Sequence, residues 1–158
     1  EVNQYSRKNN LIIDGLSEIK GEFPIDTALR FARNTNFELK KEQIDDCHRL
    51  PRRKKYLPET PRPFIIRFVN RHVKREMLIR MKKDKPSGIY ANDHLTFYST
   101  QIKLEARKIL KPKGYIIESR GCVIFAKKGD TRHKLGSIQQ IYELAHSNRS
   151  TEPSNHST

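Results

Sequence analysis

Residues 61–70 read Pro-Arg-Pro-Phe-Ile-Ile-Arg-Phe-Val-Asn, an apolar run with one arginine set into it. Aromatic and β-branched residues bounded by prolines form a strand, whose period of two puts Phe64, Ile66 and Phe68 on one face and Ile65, Arg67 and Val69 on the other. If the aromatic side is core, Arg67 is the guanidinium of an exposed sheet face. Asn70 is suited to cap a helix that turns Val73, Met77, Leu78 and Met81 inward and leaves Arg71, Lys74, Arg75, Arg80 and Lys82 on the polar side. Glu76 is the only acid there before Asp84, so pairing within the helix does not account for the cations.

The rest of the chain extends this strand–helix pair into a repeating order. Residues 11–13 form a short strand that leaves through Asp14 and Gly15; Pro24 opens a helix with Ile25, Ala28, Leu29 and Ala32 on one face, running to about Asn34. Residues 44–50 alternate like an edge strand and stop at Pro51, a basic loop fills 51–63, and a last strand at 89–92 follows the turn at Pro86, Ser87 and Gly88. Strand, helix, strand, strand, helix, strand is the order of a ferredoxin-like βαββαβ sandwich similar to an RNA-recognition motif, with helices on one face of a four-stranded antiparallel sheet. A second unit begins near Thr96. It has a helix with Tyr98, Ile102, Ala106 and Ile109, strands at 115–118 and 122–126 around the Arg120–Gly121 tip, a turn at 127–130, and a helix capped by Ser137. The expected class is therefore α+β, with a connector at 1–10, a first domain at 11–93, a small α-β-β-α domain at 94–145 and a disordered tail at 146–158. Glu1 in place of Met suggests a piece of a longer protein.

Charge narrows the function. The formal net charge is +14, and residues 49–85 hold 14 Lys and Arg against three acids. A surplus so concentrated points to a polyanionic partner, because neutralised phosphates release condensed counterions. Arg52, Arg53, Lys54 and Lys55 form an electrostatic arm in the loop, and four adjacent cations repel unless an anion sits among them. No apolar run approaches the roughly 18 residues of a membrane span, and no signal peptide opens the chain, so a soluble intracellular protein that does not engage membranes is expected. Cys47 and Cys122 match no metal or disulfide spacing and are expected to be buried thiols, with no metal and no cofactor. Asp45 and Asp46 raise the alternative of a two-metal nuclease, but no third acid clusters nearby in sequence, and a non-enzymatic protein is expected.

A standard RNA-recognition motif stacks bases on aromatic rings of its two inner strands. Here Ile12, Pro63 and Ile65 occupy the aromatic positions, so cations that contact phosphates take the place of rings that read bases. Residues 4–15 (Gln-Tyr-Ser-Arg-Lys-Asn-Asn-Leu-Ile-Ile-Asp-Gly), 47–51 (Cys-His-Arg-Leu-Pro) and 62–68 (Arg-Pro-Phe-Ile-Ile-Arg-Phe) carry this departure. In order and spacing the chain resembles, over about residues 4–144, the first-open-reading-frame proteins of LINE-type retrotransposons and the related C-terminal domain of the baculovirus few-polyhedra protein. The resemblance implies sequence-tolerant binding of single-stranded RNA, with single-stranded DNA as a second ligand, and chaperoning in a cytoplasmic ribonucleoprotein particle that also reaches the nucleus. It implies a homotrimer through a coiled coil upstream of this chain. The family's RNA-contacting positions fall on Arg67, Lys82 and Lys103, the latter two usually arginine; Arg49 matches a further family arginine, and Arg120 lies in the hairpin-tip contact region. The viral branch implies instead a role in nucleocapsid and virion assembly.

Overall fold

A computed structural model describes residues 7–52, 58–84, 86–120 and 123–147. The expectations for Arg53, Lys54, Lys55, Cys122, the start of the connector and the tail from residue 148 lie outside the described residues. The chain is mixed α and β, with two antiparallel sheets, and divides into two compact units, Glu1–His94 and Leu95–Thr158.

The first unit runs β1 (Asn10–Asp14), α1 (Pro24–Asn34), β2 (Ile44–Arg49), β3 (Phe64–Phe68), α2 (Arg71–Lys83) and β4 (Tyr90–Asp93), with a single 3-10 turn at Lys41–Gln43 before β2. The strands form one antiparallel sheet in the order β2-β3-β1-β4. Alternation decides what is buried: Leu11 and Ile13 from β1 and Phe64, Ile66 and Phe68 from β3 join Ala28, Phe31 and Ala32 of α1 and Val73, Met77 and Met81 of α2 in one core. Phe31 is missing from the face read in the sequence, yet lies one turn from Ala28 and is buried. The Asn70 cap is made as expected, its Oδ1 accepting the Val73 backbone N–H at 3.1 Å. On β2 the register shifts between Ile44 and Asp46, and this bulge lets Ile44 and Cys47 share the core while Asp45 and Asp46 both stay exposed.

The second unit runs α3 (Phe97–Leu110), a 3-10 turn (Lys111–Lys113), β5 (Ile116–Arg120), β6 (Val123–Lys128), β7 (Thr131–Leu135) and α4 (Ile138–Ser147). Its three strands lie in sequence order, so the unit is α-β-β-β-α rather than the expected α-β-β-α. The additional strand, β7, reads Thr-Arg-His-Lys-Leu and buries only Leu135, which faces Ile124 across the pair. A charged edge strand of this kind resists pairing with other chains, and the same charges hide it from a hydrophobicity reading. Ile102, Ala106 and Leu110 of α3, Tyr115, Ile124, Ala126 and Leu135 of the sheet, and Ile141 and Ala145 of α4 make a separate core. Among the described residues no helix is long and apolar enough to cross a membrane.

Candidate nucleic-acid interface

The sheet face turned away from the helices carries Asn10, Ile12 and Asp14 of β1, Ile65 and Arg67 of β3, and Tyr90 and Asn92 of β4. Ile12 and Ile65 are each only 7% exposed, so the centre of this face is not a bare apolar platform. Arg67 is exposed on it. Its Nε donates to Asn10 Oδ1 at 3.1 Å, while its terminal nitrogens have no partner among the described residues. One edge of the guanidinium is thus fixed and the other is available.

Asn10, itself buried, links Arg67 to a wider cluster. Its amide nitrogen meets His94 Nδ1 at 3.0 Å, and Arg7 Nη1 meets His94 Nε2 at 3.1 Å. Each ring nitrogen therefore faces a donor; a neutral imidazole can accept at one of the two, and a second ring proton would remove that acceptor as well. Burial first, then the charges of Arg7, Arg67 and Lys74, push the His94 pKa down to about 4. The imidazole stays neutral in an electropositive corner built from the start of β1 and the ends of β3 and β4. Asn10, His94 and Arg7 were not among the residues expected here. Nothing in their spacing points to the site, because strands far apart in sequence bring them together.

Lys74, expected on the polar side of α2, is a correction: it is 3% exposed. Its ammonium lies 2.7 Å from Asp93 Oδ1 and donates to the Lys8 carbonyl at 2.9 Å. The long aliphatic stem lies along the core while the charge is neutralised inside the unit. Arg71, Arg75 and Lys82 are exposed and have no partner among the described residues. At 3.6 residues per turn they fall within about 40° of one another around the helix axis and span roughly 16 Å along it. They form a row of cations along one side of α2.

Arg49 is the second correction. Its side chain is 4% exposed and binds Glu22 with both Nε and Nη2, at 2.9 and 2.8 Å. It also donates to the carbonyls of Leu16, Ser17 and Arg62, and lies over the Phe64 ring at 5.2 Å. All five guanidinium N–H groups are used inside the protein, where they tie the loop after β1 to the strand before the basic loop. The Arg49 hydrogen bonds hold the Glu22 carboxyl below its usual range. Arg52 is partly engaged too, donating to the Thr60 carbonyl at 2.8 Å and lying 3.8 Å from Glu18, which Arg62 binds more closely at 2.7 Å. Asp46 pairs with His48 at 3.2 Å on the surface, and the described residues hold no group of three metal-ligating side chains.

In the second unit, Lys103 Nζ donates to Ser119 Oγ at 3.1 Å, next to the exposed Arg120 at the end of β5. The fold therefore brings these two expected contacts to the same end of the β5–β6 pair, although 17 positions separate them in sequence. Arg132 lies 3.9 Å over the Phe125 ring and 3.4 Å from Glu118. No family model matches the chain, and no curated protein matches it.

Proposed function

We propose that this chain is a non-enzymatic, single-stranded RNA-binding protein that acts as a nucleic-acid chaperone in a ribonucleoprotein particle of the LINE-retrotransposon type. Its first unit is a ferredoxin-like βαββαβ sandwich, a reading supported by the antiparallel order β2-β3-β1-β4 with both helices in one core. The observation that carries the function is Arg67, which has one edge fixed by Asn10 and the other exposed, beside the cluster of Arg7, Lys74 and neutral His94. A guanidinium held in this way loses little freedom when it takes a phosphate in bidentate fashion. Arg71, Arg75 and Lys82 extend the contact along α2, and Lys103 and Arg120 supply cations in the second unit. Arg49 and Lys74 are not contacts in this reading. They hold the strands and α2 that carry the others.

Fluorescence-anisotropy titration of single-stranded RNA, single-stranded DNA and duplex over a range of salt tests the proposal. With four phosphates neutralised by the first unit, affinity for a single strand falls about 50-fold between 50 and 200 mM salt, from a slope near −0.7 per contact. Arg67→Ala and Lys103→Ala each weaken binding, with little dependence on sequence at those contacts. Affinity that is flat with salt, or equal in wild type and both variants, refutes the assignment.

A further inference from the structure

At the end of the sheet away from Arg67, a cavity of about 460 Å³ opens where β1 ends and β4 begins. Asp14, Tyr90, Asn92 and Pro61 line it, with the backbones of Gly15 and Gly88. Gly15 has φ +88°, and a Cβ there would overlap the Gly88 carbonyl oxygen, so the two turns cross at a distance only glycine permits. Asp14 and Tyr90 are directly opposed across the β1–β4 pair, and Asn92 lies two residues along β4 on the same face. Tyr90 is 55% exposed. Asp14 is half-buried, and its carboxylate makes no hydrogen bond or ion pair with any described residue.

An unpartnered carboxylate is out of place on a face that holds a polyanion, since it repels phosphate. Its presence is explained if it meets donors rather than phosphate. A carboxylate only accepts hydrogen bonds, through two adjacent oxygens. Guanine alone among the four bases offers two adjacent donors, N1–H and the N2 amino group, on its Watson–Crick edge. Adenine and cytosine place one donor beside an acceptor, and uracil sets its single N–H between two carbonyls. Tyr90 supplies an aromatic face for stacking at cross-strand distance from that carboxylate. From Asn10, the partner of Arg67, to Asp14 the strand rises about 14 Å, a separation that two nucleotides span.

We propose that this cavity holds one guanine base of a bound single strand, stacked on Tyr90 with N1–H and N2–H donated to the Asp14 carboxylate. The inference rests on the RNA-binding reading above and adds one base preference to an otherwise sequence-tolerant contact. The test titrates the full chain with labelled oligouridine, with the same oligomer carrying one central guanosine, and with inosine, which lacks the N2 amino group, in that position. One guanosine should tighten binding roughly ten-fold, as for a bidentate pair, and inosine should lose most of that gain. Asp14→Asn should bring the guanosine and uridine oligomers to equal affinity. Equal affinity for all three oligomers in the wild type overturns this proposal and leaves RNA binding standing. If no oligomer binds, both readings fall. The inosine arm leaves the protein unaltered, so it decides the matter even if the Asp14 variant fails to fold.

Discussion

Replacing Arg49 separates a structural role from an interfacial one. Arg49→Ala strips two hydrogen bonds from Glu22, leaves the carbonyls of Leu16, Ser17 and Arg62 without their donor, and removes the cation from over Phe64. Breaking a buried pair by deleting one partner costs about 3–5 kcal/mol, because the remaining charge is left without compensation. With a urea dependence of about 2 kcal/mol per molar, the unfolding midpoint of the first unit should drop by roughly 1.5–2.5 M. Arg49→Lys should recover only part of this, since an ammonium cannot reproduce a planar fork with five donors. The assay is urea unfolding followed by circular dichroism, paired with RNA anisotropy under conditions where each variant remains folded. RNA affinity per folded molecule should stay within about two-fold of wild type, the scale on which surface-neutral changes fall. An Arg49→Lys protein that unfolds at the wild-type midpoint yet binds RNA ten-fold more weakly would refute the reasoning and return Arg49 to the interface.

Three further outcomes follow from the same structure. His94, with its folded pKa depressed to about 4 from 6.5, takes up a proton more readily when unfolded, so stability should decline as pH falls from about 6.5 towards 4. The full shift would be about 3 kcal/mol, reduced to roughly 1–2 kcal/mol by solvent screening of the half-buried ring, and a His94→Gln variant should show that much less acid sensitivity in thermal melts. Lys74→Met keeps the apolar stem but leaves Asp93 buried and unpaired, and should destabilise the first unit by about 3 kcal/mol in denaturant titrations; an unchanged midpoint would show that the pair contributes nothing. Leu135→Asp puts a charge at the one buried position of β7 and should destabilise the second unit by several kcal/mol, while Lys134→Asp, on the exposed side, should stay within about 0.5 kcal/mol.

Elements whose period is set by burial could be read from the chain. Pro24–Asn34 and Arg71–Lys83 each show one apolar face and a recognisable start, and Phe64, Ile66 and Phe68 of β3 fall on the core face at every second position. β7 escaped because its burial rests on a single leucine, and the bulge in β2 because an inserted residue leaves no compositional mark. The candidate site was legible in kind but not in membership. Arg67 stands out because a cation in an apolar strand needs an explanation, whereas Lys74 and Arg49 carry the same formal charge and look the same in sequence. What separates them is whether an acid from a distant segment, Asp93 or Glu22, waits inside. Asp14 was read only as the end of a strand, since its cavity is formed with β4, some 75 positions later.

The placing of β1 has a consequence for how the chain is made. It is an inner strand, and both its partners lie downstream: Ile13 faces Phe64 on one side and Ala91 on the other. As the protein leaves the ribosome, that strand has no edge to join until β3 emerges, and its second side stays unpaired until β4 follows. Nearly the whole basic segment is thus synthesised before its sheet can close, a period when a cationic, partly collapsed chain is exposed to any nearby polyanion, including the RNA of the translating ribosome. The second unit, whose strands pair in the order they are made, is under no such delay.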